Sequence, residues 1–143
     1  MQIHASCAAR DGAGVLLLGP PGSGKSDLLL RLLHLGFELV ADDRVEVEAG
    51  QARAPAALCG LLEVRGLGIL RLPHRKAAAL VLAVQLLAPA HDAMMRLPEP
   101  RRHPLLDLPL VTVDPAAASA ALWVSLALDC ALGRVTQLAG AFA

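Results

Sequence analysis

The stretch Gly19-Pro20-Pro21-Gly22-Ser23-Gly24-Lys25-Ser26 matches the pattern Gly-x-x-x-x-Gly-Lys-Ser/Thr at every fixed position. The run before it, Val15-Leu16-Leu17-Leu18, has the composition of a strand that is buried on both faces. Leucines at helical spacing follow it, at Leu28, Leu29, Leu32, Leu33 and Leu35. Gly36 is placed to end that helix. These residues predict a strand, a glycine-rich loop and a helix, in that order.

A loop of this kind is typical of proteins that bind nucleotide phosphates. Its glycines let the backbone approach the phosphate, and the positive end of the following helix favours the anion. Lys25 is expected to reach the β- and γ-phosphates, and Ser26 to place its hydroxyl on magnesium. The predicted nucleotide-binding residues are Gly19, Pro20, Pro21, Gly22, Ser23, Gly24, Lys25, Ser26 and Asp27. The alternative is a chance match in a glycine-rich turn.

Acidic residues follow a second predicted strand, Glu38–Ala41, where Asp42 and Asp43 stand side by side. Adjacent residues of a strand point to opposite sides, so one carboxylate is expected to bind metal-bound water and the other to accept a proton. A turn or helix-capping pair is the alternative. Further on, Glu63 and Arg65 lie in an apolar run, where they either take part in a site or form a salt bridge with each other.

Composition excludes several classes of protein. The 143 residues fit a single domain, residues 1–143. Lys plus Arg number 13 and Asp plus Glu number 13, so the net charge is zero. A protein that binds nucleic acid by neutralising its phosphates is therefore not expected. The longest apolar runs fall short of the roughly 18 to 20 residues of a membrane span, so we expect no membrane partner and a cytoplasmic location. Three scattered cysteines suggest neither a metal site nor a disulfide framework.

Patterning predicts further elements along the chain. The pair Asp11-Gly12 between apolar runs predicts a hairpin turn. Residues 80–87 suit either a strand or a buried helix, and residues 109–113 a brief strand. Residues 89–109 predict a long polar loop, and residues 116–132 a helix. By itself, a lone histidine such as His4 is more often a structural residue than a catalyst. The arginines of that loop are either solvated surface residues or residues that stabilise charge on a phosphoryl group in transfer.

Together these residues resemble the catalytic domain of HPr kinase/phosphorylase, the bacterial enzyme that phosphorylates a serine of the phosphocarrier protein HPr. The resemblance spans roughly residues 2–130. The matching blocks are Ile3-His4-Ala5, residues 19–26, Leu39-Val40-Ala41-Asp42-Asp43-Arg44-Val45, Leu62-Glu63-Val64-Arg65-Gly66-Leu67-Gly68-Ile69 and Arg96-Leu97-Pro98-Glu99-Pro100.

The resemblance implies an α/β fold with a P-loop NTPase-like mixed sheet and flanking helices, related to phosphoenolpyruvate carboxykinase, in which residues 80–87 form a strand. It implies that ATP and Mg²⁺ are the cofactors and that an HPr-like phosphocarrier is the partner. The implied role is regulation of carbohydrate use through the phosphotransferase system. The implied assembly is a homo-oligomer, a hexamer in the family.

Site roles also follow from the resemblance. Asp43 is implied as the general base that takes the serine proton, and as the general acid in the reverse reaction. Asp42 is implied as the carboxylate on the magnesium side, with Ser26 and Glu63 holding the metal. His4 and Arg96 match positions of the family's active site, so they join Lys25 and Asp43 as predicted catalytic residues.

Two departures from the family pattern stand out. The match starts almost at the catalytic domain, so we expect a short form of the enzyme that lacks the family's usual N-terminal domain. The family's Pro-Gly-Arg-Asn-type segment, needed to remove the phosphate, corresponds here to Val113-Asp114-Pro115-Ala116-Ala117-Ala118-Ser119, which has no arginine. We therefore predict that the phosphorylase activity is weak or absent while the kinase activity persists. The alternatives are a small-molecule kinase and a non-catalytic, ATP-binding regulatory module.

Overall fold

Ten strands and two helices build the part of the chain that the computed structural model describes, residues 1–87 and 94–143. The strands are β1 (Gln2–Ile3), β2 (Ala5–Arg10), β3 (Ala13–Leu18), β4 (Glu38–Ala41), β5 (Val45–Glu48), β6 (Gln51–Arg53), β7 (Leu61–Val64), β8 (Gly68–Arg71), β9 (Ala78–Leu86) and β10 (Leu110–Val113). The helices are α1 (Lys25–His34) and α2 (Ala120–Ala131), and a single 3₁₀ turn spans Ala56–Leu58. No helix within these two ranges is long and apolar enough to cross a membrane.

Eight of the strands form one mixed sheet: seven follow the order β1-β5-β6-β9-β3-β2-β4, and the eighth, β10, pairs with β9. The long strand β9 has two partners along one side, because β6 pairs with its first residues and β10 with its last four. Strands β3, β9 and β10 run parallel, whereas β2 is antiparallel to both β3 and β4. Strands β7 and β8 form a separate hairpin. The predicted mixed sheet with flanking helices is confirmed, and residues 80–86 of the predicted strand 80–87 belong to β9.

The core has two parts, one on each face of the sheet, and β3 contributes to both. Val15 and Leu17 pack into the cluster with α1 and α2, whereas Leu16 and Leu18 pack into the cluster on the opposite face. Every residue from Val15 to Leu18 is buried, as the continuous apolar run predicts. The strand that precedes the glycine-rich loop is therefore packed against the core on both faces of the sheet.

The local turns follow the sequence signals closely. Asp11 and Gly12 connect β2 to β3 with φ values of 51° and 82°, the left-handed conformation that a two-residue hairpin turn requires. Helix α1 ends at His34, Leu35 follows as its C-cap, and the next residue, Gly36, has a φ of 96°. The Phe37 amide donates to the Leu32 carbonyl at 3.1 Å, which completes the helix-ending motif.

Replacing Gly36 should test this helix end. We expect Gly36→Ala to lower the free energy of unfolding by about 1 kcal/mol, because a β-carbon is strained at a positive φ. Nothing lies within 4 Å of the added carbon, so backbone strain is the cost that remains. Urea unfolding of the variant and the parent measures the difference. A Gly36→Asn variant, which tolerates this conformation better, should lose less.

Two sequence predictions differ from the structure. The second helix begins at Ala120, not at residue 116, because residues 114–119 form a turn in which the Asp114 carboxylate accepts the Ala116 amide at 2.9 Å. Arg65 lies in the turn between β7 and β8 and not on a strand beside Glu63. Within the predicted loop, residues 89–93 lie outside the described residues, and residues 94–109 contain no helix or extended strand.

Candidate functional site

The sheet topology brings several chain segments to one edge of the sheet. Strand β3 ends there and leads into the glycine-rich loop, residues 19–24, which connects it to α1. Because β2 is antiparallel to β3 and β4 is antiparallel to β2, the start of β2 and the end of β4 lie at the same edge. The topology therefore brings segments that are far apart in sequence to one edge: the residues around the start of β2, the start of α1 at Lys25, and Asp42 after β4.

The glycine-rich loop leaves its donors available for an anion. Gly22 and Gly24 have φ values of 80° and 101°, a conformation that side-chain-bearing residues rarely adopt. Gly24 precedes the first turn of α1 and provides no side-chain cap for its amides. The Ser23 hydroxyl is buried and has no hydrogen-bond partner in the described part of the chain. A buried polar atom without a partner is costly, so this hydroxyl fits a bound phosphate oxygen.

Lys25 lies over the loop that precedes it. Its side chain is buried, and its ammonium group donates to the carbonyls of Gly19 at 2.6 Å and Pro20 at 3.0 Å. Burial lowers the pKa of Lys25, and the nearby negative charges of Asp43 and Asp42 partly oppose that shift. The structure thus places the lysine charge within electrostatic reach of both carboxylates.

Asp42 is the centre of a small hydrogen-bond network. One of its carboxylate oxygens accepts the Ser26 hydroxyl at 2.8 Å and the Ser6 hydroxyl at 2.9 Å. The Ser6 oxygen also accepts the backbone amide of Asp43 at 3.3 Å. Ser6 was not predicted as a site residue. The one signal in the sequence was a serine within an apolar strand, which needs a polar partner because it is fully buried.

Asp43 has different surroundings from its neighbour. Its side chain is exposed, whereas Asp42 is half-buried. Its φ of 68° turns the chain after β4, and its carbonyl accepts the Ala5 amide at 3.2 Å. Asp42 and Asp43 are therefore in different environments, as expected for neighbouring residues at a strand end, and the turn at Asp43 adds to the difference. Asp43 presents a free carboxylate at the same edge of the sheet as the glycine-rich loop.

The pair Ser26 and Asp42 fits a magnesium ion. Magnesium prefers oxygen ligands in octahedral geometry at about 2.0–2.1 Å, which places adjacent ligands about 2.9 Å apart. The hydroxyl and carboxylate oxygens of Ser26 and Asp42 are 2.8 Å apart, so both could bind one ion without a large movement.

Comparison with known proteins identifies the family. The family model for the HPr serine kinase C-terminal domain matches residues 1–85. The chain belongs to this family. Proteins named HPr kinase/phosphorylase from Burkholderia cenocepacia (strain HI2424) and Burkholderia mallei (strain SAVP1) are 42% identical to it over 121 residues. The match covers 74% of this chain and 38% of each relative, so the chain spans less than half the length of these curated relatives.

A solved structure shares the fold. It is described as the structure of the Hpr(Ser) kinase/phosphatase from Coxiella burnetii, and it superposes with a TM-score of 0.77 at 22% sequence identity. The similarity covers 94% of this chain and 92% of that chain, so it extends well beyond the residues of the family match. The predicted resemblance to the HPr kinase family and the mixed-sheet fold with flanking helices are confirmed.

The remaining residues assigned from the family resemblance are more dispersed. His4 is exposed between β1 and β2, Glu63 is exposed on β7, and Arg96 is exposed in the segment before β10. Within residues 1–87 and 94–143, no three His, Cys, Asp or Glu side chains are gathered for a metal ion. The structure therefore does not bring Glu63 together with Asp42 and Asp43. The alternative salt bridge is also absent from this part of the chain, since no ion pair there includes Glu63 or Arg65.

Asp27 lies in the first turn of α1 but faces solvent. Its side chain is 70% exposed and forms an ion pair with Arg31 one helical turn later, at 3.0 Å. An acidic residue in the first turn interacts favourably with the helix dipole. This contact gives Asp27 a structural partner beside the position predicted for the nucleotide phosphates.

Proposed function

We propose that the chain transfers the γ-phosphoryl group of ATP to a serine hydroxyl of an HPr-like phosphocarrier protein. The observation that supports this best is the Ser26–Asp42–Ser6 network, which fixes two acidic residues beside the helix that begins at Lys25. Phosphoryl transfer is catalysed mainly by positioning and charge stabilisation, and this site offers amide donors, a cation and carboxylates at one edge.

The glycine-rich loop and Lys25 would bind the phosphates of ATP. The amides from Gly22 onward and the first turn of α1 donate to phosphate oxygens, because Pro20 and Pro21 have no N–H. Lys25 would exchange its bonds to the loop carbonyls for bonds to the β- and γ-phosphates. Ser26 and Asp42 would hold Mg²⁺, which supplies charge neutralisation on the phosphates. Glu63, the third ligand that the family resemblance suggests, is not gathered with Asp42 and Asp43 and would have to approach them for that role.

Asp43 would be the general base. Its exposed carboxylate is available to the hydroxyl of an incoming serine, from which it would take the proton as the phosphoryl group is transferred. His4 immediately precedes Ala5, whose amide donates to the Asp43 carbonyl, so the backbone next to His4 lies near that base. Arg96, exposed before β10, would stabilise charge on the group in transfer.

The function is tested by incubating the chain with γ-labelled ATP, Mg²⁺ and candidate phosphocarriers, followed by mapping of the phosphorylated residue. Labelling of one serine on an HPr-like carrier is the expected result. ATP binding without transfer to any carrier would instead favour the regulatory module. Transfer to sugars or nucleotides but to no protein would favour a small-molecule kinase.

The reverse activity should be weak. The turn at residues 114–119 contains no cation of its own, and the adjacent Arg31 guanidinium already donates to the Pro115 and Ala117 carbonyls. Inorganic phosphate therefore lacks a free positive partner on this turn. We expect phosphate-dependent dephosphorylation of the phosphoserine carrier to be a small fraction of the forward rate. Equal rates in the two directions would contradict this prediction.

ATP binding should depend on pH through Lys25. Burial lowers its pKa in the nucleotide-free chain, and the negative charge of ATP should raise that pKa again. Above the lowered pKa, binding must take up a proton, so the Kd should rise by up to about tenfold per pH unit as the pH increases. Without nucleotide, the free energy of unfolding should increase with pH, because Lys25 binds its proton more tightly in the unfolded chain than in the folded one.

Calorimetric titrations between about pH 7 and about pH 10 in two buffers of different ionisation enthalpy would measure the proton uptake. A Lys25→Arg variant keeps its charge throughout this range and should lose the dependence. Proton uptake that is the same in both proteins would show that another group titrates.

We further propose that the reaction takes place in the cytoplasm and that the chain forms a homo-oligomer, with a hexamer as the assembly suggested by the family resemblance. Light scattering of the purified chain tests the assembly.

A further inference from the structure

Arg31, in the second turn of α1, binds the turn between β10 and α2. Its guanidinium donates to the Pro115 carbonyl at 2.7 Å and to the Ala117 carbonyl at 3.3 Å. The same group pairs with Asp27. One arginine therefore joins the helix that follows the glycine-rich loop to a segment more than eighty residues away in sequence.

The turn that Arg31 holds lies beside the glycine-rich loop. Strands β10 and β3 are both parallel to β9, so the turn and the loop leave the sheet at the same edge. The Pro115 ring lies beside Gly24, where an added β-carbon would be 3.6 Å from the proline Cβ, an ordinary van der Waals separation. The bond from the Ala116 amide to Asp114 stiffens the turn further.

The glycine-rich loop has little internal support. One backbone hydrogen bond lies within it, from the Ser23 amide to the Pro20 carbonyl, in the part of the chain that the structure describes. The lysine bonds to Gly19 and Pro20 must be released when phosphates bind Lys25. Gly22 and Gly24 add conformational freedom. Support from outside the loop is therefore needed to keep its amides in position for phosphate.

We propose that Arg31 is a positioning residue for nucleotide binding: it holds the β10–α2 turn against Gly24 and so keeps the phosphate-binding amides in place. The inference rests on the proposed function. Arg31 touches no reacting atom, so its loss should weaken the affinity for ATP far more than it slows the transfer step.

Two variants and a matched control test this role. Arg31→Met removes the bonds to the turn, and Arg31→Lys keeps a charge that can reach one carbonyl. Arg10→Met is the control, because Arg10 also joins distant elements, donating to Ser125 and pairing with Asp129, at the opposite edge of the sheet. Both arginines are partly buried, with 30% and 19% of the side chain exposed.

We expect the Kd for Mg·ATP to rise about tenfold in Arg31→Met and about threefold in Arg31→Lys, with kcat within about twofold of the parent. Arg10→Met should lose stability but keep the parent Kd. The inference is overturned if folded Arg31→Met binds ATP as the parent does, or if Arg10→Met weakens binding equally. Should Arg31→Met fail to fold, the comparison of Arg31→Lys with Arg10→Met decides in the same way.

A second readout does not depend on nucleotide. Amide hydrogen exchange of Ser23 and Gly24 in the nucleotide-free chain should be faster in Arg31→Met and unchanged in Arg10→Met. Failure of the parent chain to bind ATP would refute the proposed function. The exchange experiment would still test whether Arg31 positions the glycine-rich loop. Equal exchange rates in the parent and both Arg31 variants would refute the positioning role alone.

Discussion

Asp43→Asn should abolish nearly all phosphoryl transfer while leaving ATP bound. Removing a general base typically costs about 10²–10⁴-fold in rate, and the amide cannot accept the serine proton. The side chain is exposed and makes no hydrogen bond within the described residues, so its replacement should leave the Ser6–Asp42–Ser26 network intact. Single-turnover rates with an HPr-like carrier, together with a calorimetric Kd for Mg·ATP, measure both effects.

A matched control comes from Asp11, which is also an exposed aspartate with a positive φ, 51° against 68° for Asp43. Asparagine tolerates the left-handed conformation as readily as aspartate, so neither substitution should strain the backbone. Asp11→Asn should transfer phosphate at the parent rate. A parent-like rate for Asp43→Asn would remove Asp43 from the mechanism, and a loss of ATP binding would place it in the nucleotide site instead.

Lys25→Met should give the second large effect, a loss of about 10²–10³-fold in kcat/KM. The substitution keeps much of the hydrophobic length of the side chain but removes the charge that stabilises the phosphates. Burial disfavours this charge and lowers the pKa of Lys25, which offsets the loss of the two hydrogen bonds to the loop carbonyls, so the free energy of unfolding should change little. A loss of activity without a loss of stability would therefore separate phosphate binding from folding.

The chain's other lysine is the control for this experiment. Lys76 is exposed and outside the strands and helices, so Lys76→Met should retain parent kcat/KM and stability. Comparable activity losses in the two variants would indicate a nonspecific effect of charge. An active Lys25→Met enzyme would contradict the proposed role of the glycine-rich loop.

The sequence predicts well those segments whose conformation depends on residues close together in the chain. Gly36 ends α1 and Asp11-Gly12 turns the first hairpin because each needs a positive φ that few residues accept. The four apolar residues from Val15 to Leu18 form a strand because such a run must be buried on both sides. In contrast, the sequence predicts that the second helix starts at residue 116, four residues before the observed start at Ala120. The alanines suit a helix, but the Asp114 carboxylate accepts the Ala116 amide and so stabilises a turn before it.

The sequence by itself determined the glycine-rich loop, the helix after it and the acidic pair after β4, because backbone conformation and short-range spacing encode all three. Only the tertiary structure decided that Ser6 joins Ser26 at Asp42, that Glu63 is not gathered with Asp42 and Asp43, and that Arg31 reaches the β10–α2 turn. These contacts join segments that are distant along the chain, and they depend on which strands the sheet places side by side. Periodicity within one segment carries no information about that order.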